Sequence, residues 1–244
     1  MTLEFAKTYD VCRSGEPKLT AVFLHGIAAS STSFNPLFDY LMVNNSMHEV
    51  RLVAFDLLGA GKSYASDALN YDFDEQLLAL ENSIKKLGIV GPMIIVAHSM
   101  GTMIATRFAD AHPNLVDGLI LISAPIYRRE DIENPLFERA INGFREIVSK
   151  KNPALTKTKV FDSEIKNIVS NPENYDYLVK LSQPTIIIYG ELDKIIGAPN
   201  ITELLKQNSH IKAVKVPGAH GVSVDKFGKI SSALKKFLNE RGTK

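Results

Sequence analysis

Ser99, Asp193 and His220 have the side chains needed to activate an alcohol for attack on a carbonyl, and they stand in the places along the chain where such groups can converge. A serine hydroxyl is a weak nucleophile at neutral pH. A base must take its proton, and a third group must hold that base in the right tautomer. Ser99 lies in the stretch IIVAHSMGTMIATR, Ile94 to Arg107. There the apolar run Met93 to Ala97 stops at His98-Ser99-Met100-Gly101, and a helical pattern with Met103, Ile104, Phe108 and Ala109 on one face begins. Strand, sharp turn and helix in that order lift a hydroxyl to the tip of the turn. Ala97-x-Ser99-x-Gly101 fits the small-x-Ser-x-Gly pattern of a nucleophile elbow, with Ala97 where the pattern has its first glycine. The backbone N–H of Met100 and the positive end of the helix then lie beside the hydroxyl, where an oxyanion would develop.

The base follows by elimination among six histidines. His25 lies in a turn after a buried strand, His48 and His112 in connections near helix ends, and His210 ahead of a strand; His98 adjoins the serine with its side chain aimed elsewhere. His220 remains, in the glycine-flanked loop Pro217-Gly218-Ala219-His220-Gly221 at the C-terminal end of the last strand, the edge where open α/β sheets put their sites. The acid belongs at a neighbouring strand end, in Tyr189-Gly190-Glu191-Leu192-Asp193. Asp193 is favoured, and Glu191, earlier in the turn, is the alternative. A second oxyanion donor is expected from His25-Gly26-Ile27, through the backbone N–H of Ile27.

These residues need a scaffold, and the apolar patterning supplies one. Leu19 to Leu24, Arg51 to Phe55, Met93 to Ala97, Gly118 to Ser123, Thr185 to Tyr189 and Ile211 to Val216 read as strands, most of them continuous apolar runs of the kind buried on both faces of a parallel sheet. Leu3 to Val11 alternates as an edge or antiparallel strand does. Helices are predicted between them: Asn35 to Met42, Asp72 to Leu87, the elbow helix, Pro199 to Gln207 and Lys226 to Leu238. Strand and helix in alternation imply βαβ crossovers and a mostly parallel sheet with helices on both faces. Ile126 to Gln183 breaks the rhythm, with helical patterns only, and is read as a helical lid over the strand ends.

Composition narrows the function. With 244 residues, 45% of them hydrophobic, and a net charge of +1, the chain can bury a large core and lacks the basic stripe of a nucleic-acid binder. Lys150, Lys151, Lys157 and Lys159 read as a solvated face. The single cysteine, Cys12, excludes an intramolecular disulfide, and no Cys/His cluster has zinc spacing. No signal-like amino terminus or membrane-length apolar run is seen, so a soluble, cytoplasmic protein is expected. On that footing the glycosylation patterns at Asn44-Asn45-Ser46 and Asn200-Ile201-Thr202 carry no meaning. Gly61-Lys62-Ser63 suggests a phosphate loop, but Asp56 occupies the position of its first glycine, and a structural turn is expected there.

Taken together, the His25-Gly26 turn, Asp56-x-x-Gly-x-Gly-x-Ser63, the Ser99 elbow, Gly190-x-x-Asp193 and Gly218-x-His220 resemble the α/β-hydrolases, specifically lidded serine hydrolases, over nearly the whole chain. The resemblance implies an α/β fold with a mostly parallel, twisted, eight-stranded sheet. Residues 1–125 and 184–244 would form its core and residues 126–183 its lid. It implies acyl transfer to water: Ser99 attacks an ester carbonyl, His220 passes the proton to the departing alcohol, and water releases the acid, with no metal or organic cofactor. Phe34, Ile126, Tyr127, Ile195 and Val222, near the site in sequence, suggest a pocket for a small-molecule ester with a modest apolar acyl group. A serine in place of a carboxylate argues against related dehalogenases and epoxide hydrolases. A carbon–carbon bond hydrolase of ring-cleavage products stays open if Arg128 or Arg129 seats a second carboxylate. A thioesterase, an amidase and a ligand receptor on the same fold also stay open, as does the oligomeric state.

Overall fold

Strand residues divide cleanly between two cores, and that division explains the unbroken apolar runs. Val22, Leu24, Val53, Phe55, Ile95, Ala97, Leu119 and Leu121 face one cluster, while Ala21, Phe23, Leu52, Ala54, Ile94, Val96, Ile120 and Ile122 face the other. Successive side chains of a strand point to opposite faces, so a sheet covered on both sides needs apolar residues at every position. The computed structural model describes residues 2–43, 47–91, 93–151 and 159–241. The glycosylation pattern at Asn44 to Ser46 and Lys157 lie outside these residues, as does the side chain of Lys151.

The chain runs through β1 (Ala6–Val11), β2 (Leu19–Leu24), a short 3₁₀ turn (Ser31–Phe34), α1 (Asn35–Met42), β3 (Val50–Asp56), α2 (Phe73–Lys86), β4 (Met93–His98), α3 (Met100–Ala111) and β5 (Val116–Ile122). Then come α4 (Arg129–Ile132), α5 (Pro135–Lys151), α6 (Lys159–Glu164), a π-helical turn (Ile165–Val169) and α7 (Asn174–Lys180). The sheet resumes with β6 (Thr185–Gly190), α8 (Ala198–Gln207), β7 (Ile211–Val216) and α9 (Val224–Arg241). Strand order is β1-β3-β2-β4-β5-β6-β7. All pairings are parallel except that of β1 with β3. Buried residues of α2, α3 and α8 belong to the first core, and those of α1 and α9 to the second.

The strand count corrects the expectation of eight: seven strands form among the described residues. Ahead of the turn near Gly15 the chain supplies one strand, β1, which bulges between Lys7 and Tyr9. Residues before it leave the ladder, and the Phe5 N–H donates to the Ser83 hydroxyl of α2 at 2.7 Å. Elsewhere local signals set the element ends. Asp72 caps α2 by accepting from the Glu75 N–H, and Gly88 follows with φ +63°. Among the described residues no helix is long and apolar enough to cross a membrane.

Between β5 and β6 the described residues hold helices and no strand. Arg107 on α3 anchors this segment: its guanidinium lies 3.7 Å from the Phe73 ring centroid and 4.3 Å from that of Tyr177, and it donates to Asn171 Oδ1 at 3.0 Å. Glu164, 3% exposed at the end of α6, is a cost the segment carries, because burial pushes its pKa up to about 8. In the unfolded chain this carboxyl ionises near 4.5, so it draws stability from the fold as pH rises from 4.5 towards 8. Glu164→Gln is therefore expected to match the wild type in Tm near pH 4.5 and exceed it increasingly up to pH 8. A Tm difference that stays flat over that range, measured by circular dichroism, would contradict this account.

Candidate active site

The elbow forms where β4 meets α3. Ser99 stands between them at φ 51° and ψ −125°, a conformation that costs a residue bearing a Cβ on the order of 1–3 kcal/mol. Its neighbours hold it there. The Ser99 N–H donates to Ile122 O at 3.0 Å, and its carbonyl accepts from the Thr102 N–H at 2.9 Å and the Thr102 hydroxyl at 2.6 Å. A Cβ at Gly101 would lie 2.5 Å from His25 O and 2.7 Å from Leu24 O, so α3 approaches β2 at a distance that only glycine permits. Ala97, paired with Leu24 and fully buried in the first core, finds room for its methyl group.

Ser99 Oγ lies 2.8 Å from His220 Nε2, and His220 Nδ1 lies 3.1 Å and 3.0 Å from the two Asp193 oxygens. Strand ends set this up. Ser99 follows β4, Asp193 follows β6 and His220 follows β7, and β4 and β6 both flank β5. A Cβ at Gly190 would lie 2.2 Å from Gly218 O, so this glycine lets the acid loop and the histidine loop touch. Burial works to raise the Asp193 pKa, but hydrogen bonding and charge attraction from His220 outweigh it and hold the carboxyl below its ordinary value. The Ile195 N–H donates to Asp193 Oδ1 at 3.1 Å. Ser123 also lowers the carboxyl, although its buried hydroxyl makes no hydrogen bond of ordinary geometry. Glu191, the other acid considered, is exposed.

Two further histidines frame the site. Since carbonyls only accept and N–H groups only donate, His25 must donate from Nδ1 to Gly26 O at 2.8 Å and accept at Nε2 from the Leu57 N–H at 2.9 Å. That ties the His25-Gly26-Ile27 turn to the end of β3, and burial lowers the His25 pKa. His98 is aimed at the site, which corrects the sequence reading. Its Nε2 donates to the His220 carbonyl at 2.9 Å, and burial, reinforced by His220, pushes its pKa down to about 3. Asp56 accepts from the Ser31 N–H at 2.9 Å and the Lys62 N–H at 2.8 Å, so Gly61-Lys62-Ser63 wraps a carboxylate of its own chain.

Met100 opens α3, and its N–H is one of the first-turn donors without an intrahelical acceptor. Ile27 follows Gly26, where an added Cβ would lie 2.9 Å from Ser99 Cβ. Two cavities meet at Ser99 and His220. The inner one, narrow and nearly all apolar with about 430 Å³ of space counting the solvent at its mouth, is lined by Tyr127, Ala140, Ile141, Phe144, Ile165 and Val169 among others. The outer is a groove of about 1300 Å³, counting the solvent at its mouth, edged by Ile147, Val148, Leu192 and Lys194. Ile27 and Ile195 line both.

Three pocket expectations need correction. Phe34 is fully buried in the second core, 5.3 Å from the Phe23 ring, because the Ser31–Phe34 turn tucks it beneath the sheet. Ile126 is also fully buried, its N–H bonded to Ile196 O at 2.9 Å. Val222 packs against the second core and lines neither cavity. The residues missed, Ala140, Ile141, Phe144, Ile165 and Val169, come from the helical segment; only the apolar stripes of its helices hinted at them. Arg128 lines neither cavity and is engaged by Glu130 at 3.1 Å and Asn200 at 3.1 Å, and Arg129 is exposed. Asn200 is itself buried, donating to Ile126 O at 2.7 Å, so its glycosylation pattern is inaccessible.

A family model described as alpha/beta hydrolase fold matches residues 22–146, just over half of the 244 residues. The chain belongs to the alpha/beta hydrolase fold family. This alpha/beta hydrolase is 31% identical over 125 residues to "Probable lysophospholipase BODYGUARD 4" of Arabidopsis thaliana, a match covering 51% of this chain but only 29% of that protein's length. It is 26% identical over 239 residues to the pimeloyl-[acyl-carrier protein] methyl ester esterase of Wigglesworthia glossinidia brevipalpis, covering 84% of this chain and 87% of the relative. Among solved structures, the esterase of Exiguobacterium antarcticum superposes with a TM-score of 0.73 at 20% identity, over 96% of this chain and 95% of that one. At that identity the likeness speaks for the fold alone.

Proposed function

We propose that this hydrolase cleaves carboxylic esters through an acyl-enzyme, with Ser99 as nucleophile, His220 as general base and acid, and Asp193 as the group that orients His220. The observation that carries this reading is the unbroken hydrogen-bonded chain from Ser99 Oγ through His220 to Asp193, opening on an apolar cavity. His220 Nε2 takes the hydroxyl proton as Oγ attacks the carbonyl carbon. The oxyanion is received by the N–H groups of Met100 and Ile27, each such donor being typically worth ~10²–10³ in rate. His220 then gives the proton to the leaving alcohol, and water repeats the cycle on the acyl-enzyme. These steps need no metal or organic cofactor.

Residues 126–183 act as a lid in this reading, since most of the inner cavity's lining comes from them. The narrow inner cavity takes a short apolar acyl group, and the wider groove takes the alcohol portion. The methyl ester esterase activity named for the Wigglesworthia relative agrees with ester cleavage. A carbon–carbon hydrolase is less well supported, because neither Arg128 nor Arg129 lines the cavities, and Lys194 at the groove mouth is the one cation among the described lining residues. The test is labelling with a fluorophosphonate followed by acetyl, butyryl and octanoyl esters of one alcohol. Labelling at Ser99 with kcat/KM highest for the short acyl groups is expected, each methylene beyond the cavity's capacity costing about tenfold or more. Preference for the octanoyl ester would reverse the assignment of the two cavities. Labelling without hydrolysis of any ester would favour the receptor or carbon–carbon hydrolase.

A further inference from the structure

Three consecutive carbonyls in the His220 loop are each held by a side chain. Lys226 Nζ donates to Ala219 O at 2.5 Å and to Gly221 O at 2.6 Å, while His98 Nε2 holds the His220 carbonyl between them at 2.9 Å. Lys226 has no exposed surface at all. Its presence runs against stability in two ways. Burying an ammonium is expensive unless it is paired and hydrogen-bonded, and Lys226 is the third residue of α9, where the helix dipole disfavours a cation. An apolar side chain of similar volume would carry neither cost.

What the lysine provides is a rigid loop. His220 must meet Ser99 at 2.8 Å and Asp193 at 3.0–3.1 Å at once, from a loop flanked by Gly218 and Gly221. Glycines leave the backbone free to pivot unless its carbonyls are fixed. Burial lowers the Lys226 pKa, and Asp193 and Asp225 favour its charged form; His98 is also close enough for the Lys226 charge to help lower its pKa.

We propose that Lys226 is a positioning residue for His220: by bridging the carbonyls on either side, it sets the imidazole against Ser99 and Asp193. This rests on the reading of His220 as the general base. The test compares wild type, Lys226→Met, which keeps the volume and loses the donors, and Lys226→Gln, whose amide can hold one carbonyl. Rates are counted per serine titrated with a fluorophosphonate, so unfolded molecules drop out. Lys226→Met is expected to lower kcat about 10²-fold with KM within about twofold, as a misplacement of the base by an ångström would, and Lys226→Gln to recover part of the loss. If Lys226→Met does not fold, Lys226→Gln carries the comparison.

The downfield NMR resonance of the His220 Nδ1–H, bonded to Asp193, provides a readout that needs no turnover. Recorded in a Ser99→Ala background, it is expected to broaden or vanish when Lys226 is replaced by Met, while the methyl spectrum stays that of the folded protein. A sharp, unshifted resonance would overturn the proposal even if kcat fell, and so would a loss appearing in KM alone. If the wild type neither labels nor hydrolyses esters, the hydrolase reading fails separately, and the resonance still decides whether Lys226 positions the ring.

Discussion

Ser99→Ala is expected to lower ester turnover by on the order of 10⁶-fold while leaving the fold intact. The size follows from the proposed mechanism, in which the three side chains act as a unit. Without Oγ, the proton acceptor at 2.8 Å has nothing to activate, and only binding and the oxyanion donors remain, a residual of roughly 10³–10⁴ over water. The fold is expected to survive because Ser99's unusual backbone is held through its own N–H and carbonyl, which alanine retains. A methyl group at φ 51° is no worse placed than a hydroxymethyl group. The check is threefold: initial rates on a short acyl ester, mass spectrometry after fluorophosphonate treatment, and thermal melts. Retention of more than on the order of a hundredth of wild-type turnover would remove Ser99 from the nucleophile's role, since loss of such a serine costs far more.

The elbow, the sheet and the meeting of Ser99, Asp193 and His220 were legible in the sequence because strong local signals mark them. Apolar runs, glycines and the order of strands fix where strand ends lie, and a parallel sheet gathers its C-terminal ends on one edge. Phe34, Ile126 and Val222 show where that reasoning stops. Nearness in sequence to a site says nothing about which face of the sheet a side chain takes, and all three turn into packed cores. Phe144 and Val169 were missed for the opposite reason. They reach the cavity by long-range packing of the helical segment, which no local pattern encodes. His98 and Lys226 act by gripping backbone carbonyls, and a carbonyl's direction is fixed only once the loop is folded. The eighth strand came from the resemblance alone, and no alternating segment supported it.

Asp193→Asn is expected to lower kcat on the order of 10⁴-fold, as the corresponding change does in a serine protease, with geometry nearly unchanged. The contacts of this carboxylate say why. Oδ1 accepts from the Ile195 N–H at 3.1 Å, so in the variant the amide oxygen stays there and the NH₂ takes the place of Oδ2, 3.0 Å from His220 Nδ1. The amide oxygen at 3.1 Å can still accept from Nδ1, but the NH₂ at the nearer Oδ2 place favours the tautomer with the proton on Nε2, which points a hydrogen at Ser99 Oγ and leaves no base to receive its proton. Stability should move as well. The native carboxyl lies below its ordinary 3.8, so its contribution is present above that pH and lost as pH falls through the lower folded value. Asp193→Asn is accordingly expected to melt earlier than wild type at neutral pH, with the gap closing below pH 3.8. Rates within about tenfold of wild type would sink the orienting role of Asp193, since the wrong tautomer costs far more. Glu191 is poorly placed to take that role over, because its side chain is exposed and its N–H is bound to Val216 O at 2.9 Å.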